Sequence, residues 1–242
     1  MRNELLLIAS LLLLFGGVLL AFRFFGKTGL YCFSVLATVT ANIEVLLLVD
    51  AFGLEQTLGN ILFASTFLIT DILSECYGKK EAQKAVWLGI AAVVFFLVIS
   101  QLWLWYIPSE NDQVASSFRV IFSQTPRTML VSLAVYAVCQ QLDVWLYHAL
   151  WRLTQRRCGD SRRFLWLRNN AATLISQLAN TVLFTLGCFV GVYPPQTLWS
   201  IIISSYVIFI VTSLADTPFL YLARRIHARR FAASPAPPQG DA

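Results

Sequence analysis

Seven apolar runs, each long enough to cross a lipid bilayer, dominate this sequence of 242 residues. A transmembrane helix needs about 20 predominantly apolar residues. Only 13% of the residues are charged, whereas soluble domains carry about 25%. The sequence therefore predicts an all-α integral membrane protein, a bundle of about seven transmembrane helices. The predicted spans are Glu4–Phe22, Leu30–Val49, Leu58–Cys76, Ala85–Ile107, Thr128–Trp151, Asn169–Val192 and Leu198–Leu222.

Lysine and arginine are concentrated in alternate connections between the apolar runs. These connections hold 15 of the 18 basic residues, and in membrane proteins the basic connections lie in the cytoplasm. We therefore predict an external N-terminus, a cytoplasmic C-terminus and a basic cytoplasmic loop at Arg152–Leu167. Residues 1–230 are predicted to form one transmembrane domain, and the proline-containing segment 231–242 a disordered cytoplasmic tail. The predicted location is the inner (cytoplasmic) membrane, with several passes.

The motifs that would indicate an enzyme or a cofactor are incomplete. Gly26-Lys27-Thr28 resembles the end of a phosphate-binding loop, but the first glycine of that motif is replaced by Ala21. The lysines all lie in connections, so the spans offer no Schiff-base lysine. The two histidines and five scattered cysteines lack metal-ligand spacing. We predict that the protein is not an enzyme and binds no metal or cofactor. Its net positive charge is explained by the basic cytoplasmic connections and not by nucleic-acid binding.

Several polar side chains lie within the apolar runs, where they are costly. A charged residue near the membrane centre costs about 2.5–3.5 kcal/mol on insertion scales. Such residues usually face the bundle interior and mark a pathway for a substrate or an ion. The acids are Glu44, Asp71, Glu75, Asp143 and Asp216, and the amides are Asn42, Gln140, Gln177 and Asn180.

The spacing of these residues predicts one shared interior. Asp71 and Glu75 are four residues apart, and polar residues on the last three runs recur at spacings of three or four, so each set shares one helix face. Unless Arg168 reaches inward, no basic residue is placed to neutralise the acids. Two alternatives stay open: the amides bond neighbouring helices, and Glu75 pairs with Lys79 or Lys80 at the interface.

Five segments carry a family resemblance. The segment LFASTFLITDILSE at residues 62–75, which continues into YGKK, is similar to the signature of the queuosine precursor transporter family, also called a vitamin uptake transporter group. The resemblance covers roughly residues 30–225, with the acids in order on the matching helices. The further matches are QLDV at 141–144, LRNN at 167–170, ISQL at 175–178 and DTPFLYLARR at 216–225.

The resemblance implies a six-helix core at about residues 30–225, preceded here by an extra helix at 4–22. It implies import of 7-cyano-7-deazaguanine or 7-aminomethyl-7-deazaguanine type bases, salvaged to make queuosine in tRNA. The polar residues of the apolar runs and the matched segments together give the candidates for substrate binding or coupling, which are Asp71, Glu75, Asp143, Asp216, Asn42, Glu44, Gln140, Arg168, Asn169, Asn170, Gln177 and Asn180.

The chemistry of these residues suits a guanine-like base without identifying it. A carboxylate accepts two adjacent N–H donors, an amide donates to a carbonyl, and aromatic rings stack on the base. Asp71 and Asp216 are the expected acceptors. Four alternatives remain. The protein is a carrier for another vitamin or nucleobase, a substrate-binding subunit driven by a separate ATPase, an intramembrane enzyme that uses an aspartate pair, or a scaffold. The expected partners are the substrate and membrane lipid; homo-oligomer formation and the mode of coupling are left open.

Overall fold

The computed structural model describes residues 2–123, 126–158 and 164–232. Within these residues, five helices are long and apolar enough to cross a membrane. The prediction of an α-helical, multi-pass membrane protein is therefore confirmed, although a two-stranded ribbon was not predicted. In chain order the elements are α1 (Arg2–Glu44), β1 (Leu48–Ala51), β2 (Leu54–Thr57), α2 (Gly59–Tyr77), α3 (Lys79–Trp103), α4 (Ala115–Phe122), α5 (Pro126–Cys158), α6 (Leu165–Phe189) and α7 (Pro195–Ala232). The five candidate spans are in α1, α3, α5, α6 and α7.

The long helix α1 is a hairpin of two arms, residues 2–25 and 27–44, which meet at Gly26. The Gly26 backbone is not helical, with φ 61° and ψ −139°. The Phe33 ring lies 3.1 Å from the position that a Cβ on Gly17 would occupy, whereas a straight helix would separate these residues by about 24 Å. The first two predicted spans therefore occupy the two arms. The second ends at Glu44, not at the predicted Val49.

We expect Gly26→Ala to destabilise the hairpin. A positive φ is tolerated by glycine but strains an L-residue by about 1–3 kcal/mol. The matched control is Gly16→Ala, because no atom lies within 4 Å of the position that a Cβ on Gly16 would occupy and alanine favours a helix. Thermal unfolding of the purified protein in detergent should show a lower midpoint for Gly26→Ala alone. Equal midpoints for the two variants would contradict the role of Gly26 at the turn.

The ribbon follows α1 and packs against the start of the chain. Its strands pair antiparallel, and the turn residues Phe52 and Gly53 both have positive φ, 55° and 73°, as a tight two-residue hairpin requires. The Asn3 amide donates to the Asp50 carbonyl at 2.9 Å. Val49 therefore belongs to a strand, because an apolar run by itself does not distinguish a short strand from the end of a helix.

Two helices extend beyond the predicted limits at the opposite end of the bundle. Helix α5 continues to Cys158 and α7 to Ala232, so the predicted loop at Arg152–Leu167 is helical in its first part. Arginine is a good helix former, which explains why these basic segments continue the helices. The predicted tail is helical at residues 231–232, and its remainder, 233–242, lies outside the described residues.

The bundle has two chemically different ends. The ribbon end holds the ribbon and the start of α2. The basic end holds Gly26 and the junction between α2 and α3, and it is tied together by a 3.4 Å ion pair of Lys27 with Glu81 and by contact of the Tyr77 and His227 rings at 4.9 Å. Helix α2 packs against α1, α3, α5 and α7, so its polar residues lie inside the bundle.

Candidate functional site: a buried polar core

Three aspartates from three helices form a buried layer, which we call the aspartate layer: Asp71 on α2, Asp143 on α5 and Asp216 on α7. Their exposed fractions are 0%, 0% and 2%. Asp71 lies within electrostatic range of both other carboxylates. The structure therefore brings together three acids that the sequence placed on three helices around one shared interior.

Helix α6 supplies the hydrogen-bond donors of the aspartate layer. Thr173 donates to Asp71 Oδ2 at 3.3 Å, Ser176 to Asp143 Oδ1 at 2.8 Å, and Asn169 to Asp216 Oδ1 at 2.7 Å. The three donors follow one another at spacings of four and three residues, which places them on one face of α6. Residues of α6 thus donate a hydrogen bond to one oxygen of each of the three carboxylates.

Other acceptor oxygens around this layer are buried and unsatisfied. Among the described residues, Asp71 Oδ1, Asp143 Oδ2, Asn169 Oδ1 and Gln177 Oε1 have no hydrogen-bond partner. Leaving a buried polar group unsatisfied costs about 1–3 kcal/mol. Several unpaired acceptors in one place indicate a site that binds protons or N–H donors when the protein functions.

A charged cluster, which we call the basic-end cluster, lies at the basic end of the bundle next to the aspartate layer. Arg168 Nη2 lies 2.7 Å from Glu75 Oε2, Arg224 Nε lies 3.5 Å from Glu75 Oε1, and the Tyr147 hydroxyl donates to Glu75 at 2.8 Å. The Arg168 guanidinium also lies 4.4 Å from the centre of the Trp151 ring. Helices α2, α5, α6 and α7 therefore meet at Glu75.

The ion pairs of Glu75 differ from the alternative considered from sequence. Among the described residues they are made with Arg168 and Arg224, not with Lys79 or Lys80. Arg168 reaches inward, as the sequence allowed, and is fully buried. A buried guanidinium needs a carboxylate partner, and Glu75 supplies it.

A cavity lies in the half of the bundle nearer the ribbon end, and we call it the amide cavity. Its free space, including the open mouth, is about 560 Å³. Phe63 lies against Tyr136 and Phe209, with ring centres 6.0 and 6.4 Å apart. The lining residues are Thr38, Ala41, Asn42, Val45, Gly59, Asn60, Phe63, Val93, Ser132, Leu133, Tyr136, Asn180, Phe184 and Phe209.

Two of the predicted amides line this cavity, Asn42 and Asn180, and both are mostly buried. Asn42 bonds within the protein, donating to the Thr38 carbonyl at 2.8 Å and accepting from Ser132 at 3.3 Å. The aromatic wall and Asn60 were not predicted. Phenylalanines inside an apolar run look the same in sequence whether they face lipid or a cavity, so only the spacing of Phe63 and Phe67 was available as a signal.

Two other predicted residues join helices. Gln140 donates to Thr66 at 2.6 Å, which ties α5 to α2. Asn170 donates to Thr217 and accepts from Ser213, at 2.8 and 3.2 Å, which ties α6 to α7. These contacts match the interhelical bonding considered as an alternative for Gln140.

Glu44 is not brought into the polar core. It is the last residue of α1, at the ribbon end, and its side chain is partly buried. Its carboxylate makes no hydrogen bond or ion pair with the described part of the chain. The sequence placed Glu44 within a span, Leu30–Val49, because the apolar run continues into the ribbon.

The comparisons with known proteins identify the class to which this polar helical bundle belongs. Residues 57–223 match the family described as "Putative vitamin uptake transporter", so the chain belongs to that family of membrane transporters, and the resemblance predicted from sequence is confirmed. The chain is also 40% identical, over 209 residues, to a Bacillus subtilis (strain 168) protein named "Probable queuosine precursor transporter". The alignment covers 86% of this chain and 89% of the relative. No solved structure matches the chain.

Proposed function

We propose that this protein imports queuosine precursors, 7-deazaguanine bases such as 7-cyano-7-deazaguanine, for the salvage of queuosine in tRNA. The observation that carries the proposal is the 40% identity to the Bacillus subtilis relative across most of both chains. The polar core supports it, because amides, aromatic rings and carboxylates are the groups that bind a flat base with adjacent donors and acceptors. The proposal is of a carrier that does not alter its substrate.

Within this function we propose that the polar core contains both a binding region and a coupling region. The aspartate layer, with its free acceptors, is the coupling region, and the basic-end cluster closes the cytoplasmic side. Asn42 and Asn180 lie nearer the ribbon end, in the binding region, whereas Gln177, with its free Oε1, belongs with the aspartate layer. Arg168, Asn169 and Asn170 hold the cytoplasmic parts of the core in position.

We further propose seven spans in the inner membrane, with the N-terminus outside. The two arms of α1 supply two spans, and α2, with 19 residues, is about 28 Å long, close to the thickness of the hydrocarbon core. With α3, α5, α6 and α7 the total is seven. The 15 basic residues in alternate connections favour the basic end as cytoplasmic.

This orientation makes Cys158, the last residue of α5, cytoplasmic. In a variant that keeps only this cysteine, a membrane-impermeant maleimide should fail to label intact cells and should label inverted membrane vesicles. A matched variant carrying Asn111→Cys, in the exposed connection after α3, should show the opposite pattern. Rapid labelling of Cys158 in intact cells would refute the proposed orientation.

The transport function is tested in a strain that cannot make 7-deazaguanine precursors and lacks a transporter of its own. Cells supplied with nanomolar 7-cyano-7-deazaguanine should contain queuosine in their tRNA only when this gene is expressed. Restored uptake of a different vitamin or nucleobase, with no gain of queuosine, would favour another carrier function and overturn the proposed substrate.

A further inference from the structure

We infer that the amide cavity, not the aspartate layer, is where the base first binds, with the amides of Asn60 and Asn180 bonding its polar edge and Phe63 packing on its ring. This inference rests on the proposed import function and deepens it, since it assigns the steps of binding and coupling to different residues.

The amides of Asn60 and Asn180 have hydrogen-bonding capacity that the described part of the protein does not use. Asn60 accepts from Thr57 at 3.2 Å, but its Nδ2 has no hydrogen-bond partner among the described residues. The Asn180 amide also makes no hydrogen bond within the described parts of the chain, although the residue is only 8% exposed. Asn42, in contrast, is held by Thr38 and Ser132. The cavity therefore offers the unused N–H donor of Asn60 and the whole amide of Asn180, which can both donate and accept hydrogen bonds.

The wall beside these amides is aromatic. Phe63 contacts the Tyr136 and Phe209 rings, and the Tyr136 hydroxyl is packed so closely against Gly89 that a Cβ there would lie 2.3 Å from it. A ring that is fixed on both sides provides a rigid surface, and flat heterocycles pack favourably on such surfaces. Free amides beside a fixed aromatic surface define a site for a planar heterocycle.

The cavity is also uncharged. Every described residue that lines it is neutral, and none of the three aspartates is among them. Phe63, Phe67 and Asp71 follow one another at four-residue spacing along α2, so Asp71 lies about 12 Å deeper than Phe63 along the helix. Phe67 is fully buried between them and contacts Phe63 at 5.4 Å between ring centres. The lining therefore suits a neutral ring, and Phe67 lies between the cavity and the carboxylate of Asp71 along α2.

This assignment replaces the expectation that Asp71 or Asp216 accepts the donor edge of the base directly. In the structure, each of these carboxylates has one oxygen bonded to α6 and is nearly inaccessible to solvent. A base in the amide cavity does not touch them. The aspartates then act at a later stage, when the bundle rearranges.

The test is binding of 7-cyano-7-deazaguanine to purified full-length protein, measured by equilibrium dialysis with labelled base. Asn60→Leu and Asn180→Leu should each weaken binding about 10-fold, since one decade in affinity corresponds to about 1.4 kcal/mol. Phe63→Leu should weaken it similarly, and Phe63→Tyr, which keeps the ring, should retain most of the affinity. Asn111→Leu, which makes the same change of amide to leucine in an exposed connection outside the cavity, is the matched control.

The variant Asp71→Asn tests whether binding and coupling use different residues. It should change the dissociation constant less than the cavity variants do, while lowering uptake in cells more than they do. Wild-type affinity in Asn60→Leu, Asn180→Leu and Phe63→Leu, with binding lost in Asp71→Asn, would overturn the inference but leave the import function standing. Failure of the wild-type protein to bind the base would overturn the proposed function as well. Thermal unfolding of each variant shows whether lost binding reflects lost folding.

Discussion

Removing the guanidinium of Arg168 is expected to destabilise the protein more than any other single change in the bundle. Arg168 is fully buried and lies 2.7 Å from Glu75. Deleting one partner of a buried ion pair costs about 3–5 kcal/mol when the other charge is left buried alone. Glu75 keeps Arg224 at 3.5 Å, so we expect a cost toward the lower end of that range. Arg168→Gln should therefore lower both the thermal midpoint and the amount of folded protein in the membrane.

The double variant Arg168→Gln with Glu75→Gln should recover part of this loss, because two neutral amides leave no uncompensated charge between α2 and α6. Arg225→Gln is the matched control, since Arg225 lies on α7 beside the cluster residue Arg224 and makes no ion pair among the described residues. Its midpoint should equal that of the wild type. Additive losses in the double variant would contradict coupling between Arg168 and Glu75.

Replacing each aspartate of the aspartate layer by asparagine is expected to abolish most uptake while leaving membrane insertion intact. Asparagine has nearly the same shape and is easier to insert, but it can neither carry a negative charge nor take up a proton. At Asp71 and Asp143 it also places an amide donor where the structure has a buried, unpartnered oxygen. If this mismatch raises the barrier to transport by about 1–3 kcal/mol, the uptake rate falls by about 5- to 140-fold.

The measurement is uptake of labelled 7-cyano-7-deazaguanine at matched protein levels for Asp71→Asn, Asp143→Asn and Asp216→Asn. Asp50→Asn is the matched control, because Asp50 is exposed in the ribbon and lies outside the polar core. It should transport like the wild type. Wild-type uptake in all three core variants would show that the three aspartates do not form a shared functional site.

The parts of the fold that could be predicted from the sequence are those that depend on the length of the apolar runs. Helix α2 was predicted as Leu58–Cys76 and found as Gly59–Tyr77, because Gly78, with φ 89°, ends the run abruptly. The ribbon was missed because its first strand continues an apolar run without a break. The ends of α5 and α7 were missed because hydropathy falls at the membrane surface, whereas the helices continue through their arginines.

In the candidate site, the sequence could predict only those residues whose side chains are costly to bury in a membrane. Asp71, Asp143 and Asp216 stand out in apolar runs, and the structure brings them into one layer. Their donors Thr173 and Ser176 are common in helices, so little in the sequence marks them as partners. The pairing of Glu75 with Arg224 joins residues far apart in the chain, and the nearer Lys79 and Lys80 gave a misleading local signal. Apart from the four-residue spacing of Phe63 and Phe67, the aromatic wall carried no signal that separates it from lipid-facing rings.

The most direct measurement of the central claim uses purified protein in sealed liposomes. Liposomes preloaded with unlabelled 7-cyano-7-deazaguanine and diluted into a trace of labelled base should accumulate label by exchange, and liposomes without protein should not. This exchange requires no partner protein and no energy source, so it isolates the carrier itself. We predict accumulation with the wild type and about 10-fold slower accumulation in Asn180→Leu, in line with its weaker binding. Label that stays at the level of protein-free liposomes, with correctly folded protein present, would contradict the account.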